Sequence, residues 1–121
     1  TKLFSAVAKS GVKEIAAGYL FLRPAIRKNL EENIKNTTLL RSILLPYFHF
    51  QAKLLPVGIN SQGFMLPREI REKAFARIKS IASDFELSVH ICGCKNSDIT
   101  TESLAFFSGI VILANLLFAS I

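Results

Sequence analysis

His90, Cys92 and Cys94 stand at positions i, i+2 and i+4 in the stretch FELSVHICGC, residues 85–94. Imidazole and thiolate are the side chains that hold zinc, copper or iron–sulfur centres, because deprotonated sulfur is a strong soft donor. Phe85, Leu87, Val89 and Ile91 alternate with Glu86, Ser88, His90 and Cys92, which predicts a strand with one apolar and one polar face. If the backbone stays extended to Cys94, all three ligands share the polar face, and Asp98 is a candidate fourth. The spacing differs from that of structural zinc knuckles, which put two or more residues between their cysteines. The plainer alternative is that His90 and Cys92 line an interior. A thiol of Cys92 or Cys94 beside Lys95 is also a candidate nucleophile, since nearby positive charge lowers a thiol pKa. No oriented Cys–His–acid set is legible to go with it.

Gly93, Lys95, Asn96, Ser97 and Asp98 form a polar turn after this strand. In parallel α/β proteins, binding loops gather at such strand ends. Lys95 can neutralise a carboxylate or phosphate, Asn96 can direct hydrogen bonds and Asp98 can accept them. The same residues are ordinary turn formers. Arg23 follows an earlier candidate strand, and its planar guanidinium can clamp a carboxylate or phosphate; helix-end packing is its plainer role. The six glycines make neither a dinucleotide fingerprint nor a phosphate loop. Tyr19, Tyr47, Phe48 and Phe50 make no stacking platform of a familiar nucleic-acid-binding module, and His49 among the aromatics reads as structural.

These groups need a scaffold, and 121 residues supply one domain at most. Half the residues are hydrophobic and mean hydropathy is +0.37, so part of the surface is expected to meet lipid, another subunit or further polypeptide. The formal charge of +6 allows attraction to nucleic acid or anionic lipid, but the basic residues are spread out and interleaved with acids. Two cysteines one residue apart are badly placed to bridge each other, which favours a reducing, cytoplasmic setting or metal ligation. The first eleven residues lack the basic head and long apolar core of a secretory signal. Thr1 in place of Met fits an excised portion of a longer chain.

A short helix is expected over Leu3–Ser10, capped by Gly11. Val12–Leu22 reads as a strand apolar on both faces, of the kind buried in a parallel sheet. Pro24 then opens a helix whose buried face is Ile26, Leu30 and Ile34. A further helix over about Leu39–Leu45 is expected to stop near Pro46. Tyr47–Phe64 reads as irregular, with Pro56, Gly58, Asn60, Ser61 and Gly63 as punctuation. Pro67–Ser83 is the clearest helix, with Ile70, Ala74, Phe75, Ile78, Ile81 and Ala82 on one stripe. This rhythm is that of α/β architecture.

Residues 103–121 are 19 consecutive uncharged positions. As a helix rising about 1.5 Å per residue they approach the thickness of a bilayer core. The chain therefore divides into an α/β fragment, 1–102, and an apolar terminal helix, 103–121, either buried or inserted in a membrane.

The stretches GVKEIAAGYLFLRPAIRKNL, residues 11–30, and REIREKAFARIKSIASDFELSVHICGCKN, residues 68–96, resemble the later half-barrel of radical SAM proteins, in particular the group similar to spore photoproduct lyase and related DNA-repair proteins. The resemblance implies an incomplete parallel βα barrel-like fragment with a hydrophobic C-terminal helix. It also implies a C-terminal portion of an enzyme that uses S-adenosylmethionine and an iron–sulfur cluster on nucleic acid or a related organic substrate. The family's cluster loop has three cysteines with three- and two-residue gaps, and Cys92-Gly93-Cys94 does not match it. The cluster is thus expected on a missing N-terminal polypeptide or another subunit. Arg23, His90, Lys95, Asn96 and Asp98 would contact substrate or cofactor, with Cys92 and Cys94 as the metal candidates. The competing expectations are a membrane-associated interaction protein held by residues 103–121 and a structural α/β domain without its own active site.

Overall fold

Apolar residues at helical spacing and β-branched runs at strand spacing set the elements of the chain. The computed structural model describes residues 2–49, 52–56, 62–93, 96–105 and 107–115. Among them are helices α1 (Lys2–Lys9), α2 (Pro24–Asn33), α3 (Thr37–His49) and α4 (Arg68–Ser83). The strands are β1 (Glu14–Gly18), β2 (Lys53–Pro56), β3 (Gln62–Met65), β4 (Ser88–Ile91) and β5 (Ile110–Leu113). They form two compact units, Thr1–Gly18 with Arg68–Leu113, and Tyr19–Pro67 with Ala114–Ile121.

The first unit is a three-stranded parallel sheet in the order β4-β1-β5. Central β1 is buried at Ile15, Ala16 and Ala17, matching the expectation of a strand apolar on both faces. Helix α4 packs on β4 and β1 through a buried stripe of Arg71, Ala74, Phe75, Ile78 and Ala82. Phe4 of α1 is fully buried, with its ring 6.4 Å from that of Phe85. The α/β class is therefore as expected, but the described residues show no barrel-like winding. Sequential winding would set β4 between β1 and β5, whereas β5 returns to the opposite edge of β1.

Two boundaries differ for local reasons. The alternation from Phe85 overstates β4, because Asp84, Phe85 and Glu86 form a turn after α4 with Glu86 at φ 58°. The strand stops at Ile91, and Gly93 lies in a turn. The single terminal helix over 103–121 is also corrected. Ile110, Val111 and Ile112 are consecutive β-branched residues, stiff at χ1 and suited to a strand, and they pair with β1 in register Ile15↔Ile110 to Gly18↔Leu113. No helix of the described residues is long and apolar enough to cross a membrane; residues 116–121 lie outside them.

In the second unit the segment read as irregular contains an antiparallel hairpin, with β2 and β3 paired Lys53↔Met65 to Pro56↔Gln62. Leu22 and Phe64 exchange both backbone hydrogen bonds, Leu22 N to Phe64 O at 3.0 Å and Phe64 N to Leu22 O at 2.9 Å. The chain after β1 is thereby added to the hairpin. Gly63 makes this approach possible, since a Cβ there would come within 2.1 Å of the Phe21 ring. Helix α3 runs through Pro46 to His49, past the expected stop. Proline removes one N–H, but burial of Ile43 and Tyr47 on either side holds the turn.

Candidate functional site

The turn after β4 is shaped by a buried arginine. Helix α4 leads into β4, and its first turns carry Arg71, whose side chain is only 5% exposed. Its Nη1 donates to Asn96 Oδ1 at 3.0 Å and to Asp98 Oδ1 at 2.9 Å. Its Nη2 donates to Asp98 Oδ2 at 2.5 Å. A guanidinium can be buried where such bidentate, charge-assisted bonds replace water. The buried Asn96 donates from Nδ2 to Cys92 O at 3.0 Å. The arginine beside Asp98 holds its carboxyl below the usual carboxylate range. Gly93 N donates to Glu102 O at 2.8 Å, and a Cβ at Gly93 would meet Thr100 O at 2.7 Å. The loop leaving β4 is therefore fastened to α4 and to the segment before β5.

His90, in β4, lies between two carboxylates. Its Nδ1 is 2.5 Å from Glu102 Oε1, and its Nε2 is 3.3 Å from Glu14 Oε1. The second distance suits an ion pair, but the alignment is not that of a hydrogen bond, which leaves Nε2 buried without a hydrogen-bond partner. Hydrogen bonding to Glu102 raises the His90 pKa, and the Glu14 carboxylate adds to the effect. Glu102 is lowered by the same contact with His90.

Arg23 belongs to the second unit, where it precedes α2 without a side-chain capping bond. It lines a cavity of about 170 Å³ with Leu22, Pro24, Arg27, Phe48 and Phe64, closed at one side by Tyr47. The Tyr47 hydroxyl donates to Leu20 O and accepts from Asn115 Nδ2 at 2.9 Å. Asn115 Oδ1 accepts from Leu20 N at 2.6 Å. Burial pushes the Tyr47 pKa up to about 12.

Asn96 and Asp98 are thus brought together with Cys92, while His90 is engaged by Glu14 and Glu102. The row of ligands at 90, 92 and 94 needs a strand that runs to Cys94, and β4 ends before it. Cys94 and Lys95 lie outside the described residues. Among the described residues no group of three His, Cys, Asp or Glu is arranged to hold a metal ion. Cys92, the one cysteine among them, does not by itself fit the ligand set of an iron–sulfur cluster.

Residue type alone does not mark Arg71, although positions 71, 74, 75, 78 and 82 make an unbroken helical stripe on which it is the one charge. Nothing local in the sequence links Tyr47 to Asn115, which are 68 positions apart. Comparison of the chain with protein-family models, with curated proteins and with solved structures finds no match.

Proposed function

We propose that these residues act as the C-terminal portion of a radical SAM enzyme, contributing substrate or cofactor contacts while a further polypeptide carries the cluster loop. The observation that carries this reading is the parallel pairing of β1 with β4. These strands come from the two stretches, 11–30 and 68–96, in which the resemblance lies, so segments far apart in sequence are neighbours in one α/β unit. At the end of β4 the Arg71 clamp holds Asn96 and Asp98, and Asn96 bonds Cys92 O, which supports a positioning role for these residues. The exposure of Val111 (69%), Ile110 and Leu113 on edge strand β5 supports a requirement for further chain or another subunit, since an open apolar edge is usually covered.

The chain's own residues bind and orient in this reading. In the first unit Asn96 and Asp98 hold the turn after β4 and Lys95 adds a positive charge for nucleic acid or a related organic substrate; in the second unit Arg23 separately offers a guanidinium. The cluster and S-adenosylmethionine, bound elsewhere, supply the radical chemistry. Anaerobic reconstitution of the 121-residue chain with iron, sulfide and S-adenosylmethionine is expected to give no cleavage. Addition of a polypeptide bearing a three-cysteine loop is expected to restore it, with Asp98→Ala in the combined enzyme raising KM for substrate. Robust cleavage by the chain alone, or a combined enzyme indifferent to replacement of residues 92–98, overturns the assignment.

A further inference from the structure

The cavity of the second unit combines apolar walls with a cation that no Asp or Glu side chain pairs with among the described residues. Leu22, Pro24, Phe48 and Phe64 supply the apolar lining, and Arg23 and Arg27 the charge. The two arginines are not equivalent. Arg27 Nε bonds Glu31 Oε1 at 2.9 Å, and its guanidinium lies 5.1 Å from the Phe48 ring centroid. It already has a counterion and an aromatic partner. All nine Asp and Glu residues of the chain are among the described residues, and none of these side chains pairs with Arg23.

Arg23 is also held in place. Its neighbour Leu22 is tied to Phe64 by two backbone hydrogen bonds, its own N donates to Phe21 O at 3.0 Å, and its O accepts from Arg27 N at 2.9 Å. Its Cγ lies 3.3 Å from where a Cβ on Gly63 would stand, so the stem runs along β3. The Tyr47 hydroxyl is committed to Leu20 and Asn115. Recognition in the cavity therefore falls to a guanidinium and aromatic walls.

We infer that this cavity is a binding site for a small aryl carboxylate, with one flat ring against Phe48 and Phe64 and the carboxylate on Arg23. The space suffices for one ring, because an apolar cavity of about 150 Å³ is sufficient for benzene and this one is about 170 Å³. Charge sets the headgroup: a cation beside apolar walls gains most from an anion it can grip with two parallel N–H bonds. Aromatic walls favour a ring over an aliphatic chain of equal volume. The inference rests on the cavity alone and survives failure of the radical-enzyme reading, whose test follows S-adenosylmethionine cleavage instead.

The test is a titration of the isotope-labelled 121-residue chain with benzoate and, in parallel, with neutral benzamide, followed by amide NMR shifts. Benzoate is expected to give saturable shifts at Arg23, Arg27 and Phe64, with benzamide weaker by about tenfold or more, the value of a charged hydrogen bond. Arg23→Gln is expected to weaken benzoate by about the same factor and leave benzamide unchanged. Equal binding of the two ligands, retention of benzoate by Arg23→Gln, or no saturable shift up to about 20 mM overturns the assignment. Should Arg23→Gln fail to fold, the benzoate-to-benzamide ratio of the parent chain decides alone.

Discussion

Arg71 shows how a charge can belong to a core. Its neighbours on the α4 stripe are Ala74, Phe75 and Ile78, and an unpaired guanidinium there would be costly to bury. Asn96 and Asp98 take up its donors, so removing the carboxylate has a larger effect than the half-exposed position of Asp98 suggests. Asp98→Ala takes this carboxylate from a buried cation, and urea unfolding is expected to show a loss of about 2–3 kcal/mol. An exposed ion pair on the same helix, Arg68 with Glu72, is the internal contrast: Glu72→Ala is expected to cost much less than Asp98→Ala. Equal losses for the two variants would remove the claim that Arg71 clamps the loop. Tyr47 makes a similar case without charge. Tyr47→Phe leaves Leu20 O and Asn115 Nδ2 unsatisfied in a buried setting, with an expected loss of about 1–3 kcal/mol in the same measurement.

The β2–β3 hairpin depends on a close approach that can be tested at the level of the element. A methyl group at Gly63 would overlap the buried ring of Phe21, so either the ring or β3 must move. Gly63→Ala is expected to destabilise by about 1–3 kcal/mol and to weaken amide protection at Leu22 and Phe64, whose paired hydrogen bonds lie beside it. Unchanged protection would mean that the bridge tolerates the shift. Helices α1, α2 and α4 were legible because their apolar spacing is local, although Ile26 and Leu30 of α2, and Ile34 just after it, are half-buried rather than core. Of the strands, only the centres of β1 and β4 could be read. The hairpin was hidden by its own punctuation, Pro56 and Gly63 falling inside strands. Residues 110–113 resembled the middle of an apolar helix, since an uninterrupted apolar run has no period of its own and the pairing with β1 that decides the matter is non-local. The site divides in the same way. Arg23, His90, Asn96 and Asp98 were identifiable by type and place, but their partners Arg71, Glu14 and Glu102 were not, because tertiary folding alone makes them neighbours.

For the molecule as a whole, charge placement makes a statement about stability and pH. The formal charge is +6, yet around His90 the local balance is acidic, with Glu14 and Glu102 both within ion-pair distance and Lys79 acting on Glu102 from α4. His90 is raised above its ordinary value of 6.5, first by the hydrogen bond to Glu102. The stabilisation it contributes is thus complete below pH 6.5 and is lost as pH rises through the elevated folded value. Glu102 is lowered from 4.5, so its share is present above that pH and is lost as pH falls through the depressed folded value. Together they give a plateau between about pH 4.5 and 6.5 with a decline on the alkaline side. Thermal unfolding from pH 6 to 8 is expected to show a falling midpoint, and His90→Gln, which cannot charge, to flatten that slope while lowering the midpoint at pH 6. Salt distinguishes the cause: a pair only partly shielded from solvent weakens with ionic strength, so added salt should reduce the pH 6 advantage of the parent chain and leave His90→Gln little changed. A parent chain equally stable at pH 6 and pH 8 would show that the contacts of His90 with Glu102 and Glu14 do not persist in solution.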